Sequence, residues 1–398
     1  MHAADGGKDI ARRAAELCGG ALTMNGCGWG AAMKIGIMHV NLASRNYGAV
    51  LHGWAFQQYL SRIPGAEDNE LIFYTRPNQE NHRLRFGVWD SFKQGNMRGV
   101  IGKTLKHVRG RVRHARFERF LHTHERYSRN YTRAQLNAAK LPYDTLICES
   151  DVIWSSEITD GVLDPAYFLA LDSMRGLRKI AYAPSLNEGP EDDGQAGEIR
   201  EYAREFDALS CREAAGAACL SELTGREVAQ ALDPVLLLKP EDYEPLCARR
   251  PTRRPYLLMY MPVDDNPHLR AEAKKYAQAR GLKLMEISTR LRRGKGVLGQ
   301  AGPREFLAAV RGAEMIFSNS LHAVLFSILF EKQFYAFPRR LPLKVTDALA
   351  TFGLSDRYMP DDFRPQPEID YAPVRIKLEA MRRSSREFLL NALGLSDE

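Results

Sequence analysis

Short apolar runs alternating with helical stretches constrain this chain more than any other feature. Residues 34–40, Lys-Ile-Gly-Ile-Met-His-Val, form an apolar run ending in polar residues. A polar loop follows at 41–46, and residues 47–60 then carry apolar positions at helical spacing. That is the strand–loop–helix expected at the start of a buried parallel sheet. Further buried strands are expected at 145–148, 179–183, 256–261, 283–287 and 315–317. Helical patterns separate them at 197–206, 213–223, 267–280 and 303–311. Such alternation predicts α/β architecture with doubly wound parallel sheets.

A chain of 398 residues can bury more than one core, so two domains are expected. The proline-dense segment 234–255, ending in an Arg/Pro-rich string, is the best linker. It divides an N-terminal domain, 33–240, from a C-terminal domain, 255–371, and a last helix over 372–398 packs back across both. Residues 1–32 read as a poorly ordered extension, because Asp5, Asp9 and Glu16 interrupt what superficially looks like a signal peptide.

The net charge of +7 favours anionic partners. Its densest source is 98–119, with eight Lys/Arg and one acidic residue, Glu118, among interleaved apolar positions. Two readings fit: a basic amphipathic helix on an anionic membrane, or a solvated helix face over a core stripe. No nucleic-acid module accompanies the charge, so no nucleic-acid partner is expected. The longest apolar runs are far too short to span a bilayer. The six cysteines show no C-x-x-C pair or His/Cys cluster, so reduced thiols, a cytoplasmic location and no metal are expected. Residues 99–104 approximate a nucleotide P-loop, but Met97 stands where the motif needs its first glycine.

Three segments can carry chemistry. Residues 315–330 read as strand, polar turn and apolar helix, with Ser320 as cap and Leu321 and His322 in the first helical turn. Amides exposed there form an anion site, with His322 within reach of the anion. Arg212, following a strand end in Ser-Cys-Arg-Glu, suits carboxylate or phosphate recognition; the plainer reading is an Arg–Glu surface pair. Asp151, after the strand at 145–148, is a general base or simply a turn residue.

The order and wording of these segments resemble the polysaccharide pyruvyl transferase family. Residues 46–51, Asn-Tyr-Gly-Ala-Val-Leu, resemble its opening N-Y-G-A-x-L element. Residues 149–154, 164–168 and 180–185 resemble its G-S-D-Q-x-W, D-P-x-Y-F and Y-A-x-S run. Residues 210–213, 223–225 and 232–238 look like S-V-R-E, L-T-G and L-D-P-x-L-L-L. Residues 302–307 and 318–327 match G-P-x-E-F-L and T-N-S-F-H-G-T-x-F-S. The collinear resemblance runs from about Met33 to Tyr358. Glu149 replaces the family's Gly, Val152 its Gln and Ala323 the Gly after the histidine. Some relatives carry an Arg where this chain has Ser320.

The resemblance implies two Rossmann-like domains facing a central cleft, as in GT-B glycosyltransferases. It also implies transfer of a pyruvate ketal from phosphoenolpyruvate, a co-substrate, to a polysaccharide or lipid-linked glycan, with no cofactor. On that reading the donor lies on the C-terminal domain. The amides of Leu321 and His322, with Ser320, take one anionic group, while Arg212 and another arginine, Arg339 or Arg340, take the other. His322 is the expected acid and Asp151 the expected base, and Asn46 and Tyr47 lie in the substrate-binding opening element. The alternatives are a nucleotide-sugar glycosyltransferase on the same scaffold and a non-catalytic glycan-binding relative.

Overall fold

In the computed structural model, residues 33–40, 46–77, 97–187, 189–262, 267–288, 294–338, 343–359 and 363–396 are described. Residues 33–398 form one compact unit. The expected extension 1–32 and Arg339 and Arg340 lie outside the described residues, as do the side chains of 97–109.

Among the described residues, ten strands lie in two sheets, and every pairing between them is parallel. The first contains β1 (Ile35–His39), β2 (Asn69–Ile72), β3 (Thr145–Glu149), β4 (Arg178–Tyr182), β5 (Ala208–Cys211) and β6 (Ala229–Gln230). The second contains β7 (Tyr256–Tyr260), β8 (Lys283–Ile287), β9 (Met315–Ser318) and β10 (Gln333–Ala336). The orders are β2-β1-β3-β4-β5-β6 and β10-β9-β7-β8. All five residues of β1, β3 and β7 are buried, which is why these strands read as unbroken apolar runs and not as alternating ones.

The order reverses direction between β1 and β3 in one sheet and between β7 and β9 in the other. Ligands of open α/β sheets bind beyond the carboxyl ends of strands at such switch points. Two helices begin there. Helix α1 (Tyr47–Leu60) is capped by Asn46, whose side chain accepts from the Gly48 amide at 3.0 Å. The long basic segment forms α2 (Met97–His124), and α3 (Asp193–Ala203) and α4 (Ala214–Thr224) follow on the first sheet. On the second, α5 (Pro267–Ala279) and α6 (Pro303–Arg311) precede α7 (Leu321–Leu329), all nine of whose residues are buried. The chain ends with α8 (Leu343–Phe352) and α9 (Tyr371–Leu393).

Segment 234–255, expected as a linker, is core at its start. Val235, Leu236 and Leu238 are at most 1% exposed, and the Tyr243 ring meets Phe326 edge-on at 5.2 Å. A run of three leucines loses too much by staying in water, roughly 1.5–3 kcal/mol for each buried side chain, to serve as a tether. Helix α9 touches both sequence halves. Its Arg382 donates to the Leu236 and Leu238 carbonyls, each at 2.7 Å, and its Tyr371 hydroxyl to that of Ser327.

The described part of α2 packs by its apolar side. Phe117 and Phe120 are buried. Arg113 lies over the Tyr47 ring at 5.1 Å, and Arg116 pairs with Glu305 at 3.3 Å. These two cations are thereby used within the fold. Among the described residues, no helix is long and apolar enough to cross a membrane.

Candidate functional site

The carboxyl ends of β1, β3, β5 and β9 bring together His39, Glu149, Asp151, Arg212, Glu213 and His322. Helix α1 adds His52, and the turn after β6 adds Asp233. All are at most 7% exposed. Local backbone aims two of them: Ser150 and Asp151 both adopt left-handed conformations, with φ of 41° and 53°. Such strain persists only where surroundings over-determine it, and it turns Asp151 back toward the cluster.

Glu149 lies between two imidazoles. Its Oε2 is 2.8 Å from His39 Nδ1 and its Oε1 is 2.7 Å from His52 Nδ1. Burial, acting alone, would raise its pKa; the charge and hydrogen bond of His52 and the bond from His39 outweigh that and lower it to about 2. Burial likewise works against a charged His52, but Glu149, Asp151 and Asp233 prevail and raise it to about 9. At His39 burial wins, and its pKa falls below the usual imidazole value.

His322 stacks on His52, with ring centroids 5.5 Å apart and planes 14° apart, and its Nε2 is 3.6 Å from Asp233 Oδ2. The ring also lies against the first turn of α1: a Cβ added to Gly48 would come within 2.2 Å of His322 Nδ1. Burial lowers the His322 pKa to about 4 despite Asp233 and Asp151. The imidazole is therefore neutral near pH 7 in the protein alone.

Arg212 is enclosed by carboxylates. Its Nη2 is 2.8 Å from Glu213 Oε1, its Nη1 is 3.1 Å from Asp233 Oδ2, and Asp151 Oδ1 stands 3.8 Å away. The Arg–Glu pair is thus buried, not on the surface, and much of the guanidinium's capacity is already committed. Asp151 also faces His52 Nε2 at 3.9 Å. Burial would raise its pKa, but His322 when protonated, His52, Lys344 and Arg212 together hold it well below the usual carboxylate range. A carboxylate so stabilised is a weak base.

The remaining sequence-predicted positions divide. Ser320 occupies the N-cap position of α7 but makes no side-chain cap bond, which corrects the expected cap. The Ser318 hydroxyl takes over the turn, accepting from the Ser320 amide at 3.1 Å and donating to the Tyr260 carbonyl. Without a side-chain cap, the first-turn amides at Leu321 and His322 keep the anion-binding character of a helix start. Asn46 reaches the site only by holding the start of α1. Tyr47 does not join the cluster: its ring stacks on Phe306 at 4.7 Å and its hydroxyl donates to the Ala301 carbonyl at 2.7 Å. Beside Arg212 and Asp233 a small cavity of about 30 Å³ is lined by Leu321, Lys344 and Asp347.

Sequence reasoning missed His39, His52 and Asp233, and noticed Glu149 only as a departure. The available signals were a histidine ending the first buried strand, another inside an otherwise apolar helix, and a carboxylate where the family has glycine. One imidazole nitrogen from each histidine and a Glu149 oxygen lie within 4.8 Å of one another, a donor set suited to a metal ion. The four described cysteines are free.

Several solved structures share the overall course of the chain at low similarity. Arabidopsis thaliana UGT89C1 complexed with UDP-L-rhamnose is 10% identical, with a TM-score of 0.45, covering 90% of this chain and 94% of that one. UDP-GlcNAc 2-epimerase from Neisseria meningitidis bound to UDP-GlcNAc is 8% identical, with a TM-score of 0.38 and coverages of 90% and 94%. E. coli ADP-heptose LPS heptosyltransferase II is 13% identical, with a TM-score of 0.34 and coverages of 89% and 100%. None reaches a TM-score of 0.5, so the fold assignment rests on the strand order and register above. No curated protein matches the chain in sequence. Residues 46–340, which include every member of the cluster except His39, match the polysaccharide pyruvyl transferase family. This chain belongs to the polysaccharide pyruvyl transferase family.

Proposed function

We propose that the protein transfers the enolpyruvyl carbons of phosphoenolpyruvate onto two hydroxyls of one sugar, forming a pyruvate ketal and releasing phosphate. The observation that carries this reading is His322, at the start of α7, meeting Asp233 at 3.6 Å and the stacked His52 within one buried cluster. Family membership supplies the reaction class.

Ketal formation needs a proton on C3 of the enol, which leaves a cation-like centre at C2. His322 supplies that proton. It is neutral before the donor arrives, and a phosphate or carboxylate beside it favours the imidazolium, which brings it into range as an acid. A sugar hydroxyl attacks C2, and the C2–O bond to phosphate breaks. A second hydroxyl of the same sugar closes the ring. One of the two hydroxyl protons restores His322, and the other leaves with the phosphate. The first-turn amides at Leu321 and His322 hold one anionic group of the donor, and the remaining face of Arg212 orients the other. Asp151, a weak base, takes a hydroxyl proton only late, once C2 carries positive charge, and passes it on to the departing phosphate. The cavity beside Arg212 has room for one or two waters, so its wall must shift for a donor to reach the guanidinium. The acceptor is a polysaccharide or lipid-linked glycan, met at the cytoplasmic membrane face, with peripheral contact to an anionic membrane through the basic segment 98–119 as part of the same proposal.

The test is incubation with phosphoenolpyruvate and a cytosolic glycan-lipid extract. Phosphate release with a pyruvate-sized mass gain on the glycan, both lost in His322→Ala, is the expected result. Binding of a nucleoside diphosphate with sugar transfer and no consumption of phosphoenolpyruvate would overturn the reading.

A further inference from the structure

The cluster carries more negative than positive charge. Glu149, Asp151, Glu213 and Asp233 are four buried carboxylates, at most 6% exposed. Among the described residues, Arg212 is the buried guanidinium that pairs with three of them, and half-buried Lys344 acts on Asp151 from farther off. Four buried carboxylates thus face one buried guanidinium and two imidazoles, and burying like charges without matching counter-charges is unfavourable unless another cation is present. Among the described residues, the groups bonded to the Glu149 carboxylate are the two imidazoles of His39 and His52.

From the convergence of three donor atoms we propose that His39, His52 and Glu149 form a binding site for one divalent transition-metal ion of the zinc class. Two imidazole nitrogens and one carboxylate on three separate elements, β1, α1 and β3, are a donor set that takes such ions. Both histidines present Nδ1 to the same carboxylate, at 2.8 and 2.7 Å. The ion takes the place of the two Nδ1 protons, and small outward shifts of the rings make room for it.

Two further observations point the same way. The His52 Nε2 is wholly buried without a hydrogen-bond partner, yet it faces Asp151 Oδ2 at 3.9 Å. Metal-bound histidines ordinarily present their second N–H to a carboxylate, which fixes the ring and raises its basicity. The His39 ring is held by packing: a Cβ on Gly53 would approach its Cε1 to 2.9 Å, so a side chain there is excluded. Neither feature depends on the donor's identity. The consequence that the ion offsets carboxylate charge where an anionic substrate must approach does rest on the proposed function.

The experiment is a Co²⁺ titration of the chelator-treated full-length protein, followed by visible d–d absorption and reversed with Zn²⁺. The expected result is saturation at one equivalent per chain, with affinity reduced by about 100-fold or more in Glu149→Gln and His52→Gln and retained in His322→Ala. Anomalous scattering at the cobalt edge in crystals of the unaltered protein locates the ion without relying on any variant. Absorption that is absent, or unchanged in Glu149→Gln, or an ion located away from His39, overturns the proposal. The carboxylate is then a hydrogen-bonded clamp between two histidines. Because the readout is the ion and not turnover, failure here is distinguishable from failure of the transferase reading.

Discussion

Gly48→Ala tests the position of His322 without touching its chemistry. Gly48 is the second residue of α1, where alanine is normally favoured over glycine by roughly 0.5–1 kcal/mol. Here the added methyl would come within 2.2 Å of His322 Nδ1, well inside contact distance, and the ring is confined by His52 and Asp233. Overpacking of this kind costs about 1–3 kcal/mol, so the net effect should be a destabilisation of about 1–2 kcal/mol. In a His322→Ala background the obstacle is gone, and the same substitution should stabilise by about 0.5–1 kcal/mol. The coupling between the two sites is then about 1.5–3 kcal/mol, large for a pair and easily measured. Urea unfolding of the four proteins, followed by two optical signals whose transitions coincide, gives the cycle. Phosphate release should fall in Gly48→Ala, since a displaced ring no longer meets the donor. An equal cost of Gly48→Ala in both backgrounds would refute the contact on which the site geometry rests.

Two further outcomes are expected. The folded-state pKa of His322, about 4, lies below its ordinary value of 6.5, so the neutral ring favours folding. That contribution is full above about pH 6.5 and is lost as pH falls through 4; on the order of 3 kcal/mol is at stake. The stability difference between the unaltered protein and His322→Gln should therefore narrow by that amount between pH 7 and 4, and parallel curves would contradict the burial of the ring. Ser385→Ala should cost about 1–3 kcal/mol in urea unfolding, because the buried Ser385 hydroxyl accepts from the Leu232 amide at 3.0 Å and its loss strands that donor. Ser384→Ala, one residue away and exposed, should be nearly neutral.

Much of the fold was legible because its signals are local. A buried parallel strand is an apolar run, and the turn that follows it begins a helix. On that basis β1, β3, β4, β7, β8 and β9 are found within a residue or so of where the sequence predicts them. β2, β5, β6 and β10 gave no such signal: β6 has two residues, and the others have four. The linker reading of 234–255 fails at its start for a related reason. Proline marks a turn wherever it occurs, but whether the flanking leucines are wet depends on what packs over them, here α1, α7 and α9.

The site divides in the same way. Sequence alone determined that His322 opens a helix after a strand and that Arg212 ends another strand, since each depends on neighbours a few residues away; that Asn46 caps α1 came from the structure. Only the tertiary structure decided that His39, His52 and Glu149 meet across 110 residues of chain, that His322 lies on Gly48, and that Arg212 is already enclosed by carboxylates. The physical reason is that the state of an ionisable group is set by burial and by charges within a few ångströms. Those neighbours come from strands far apart in sequence, brought together where the two sheets reverse their winding.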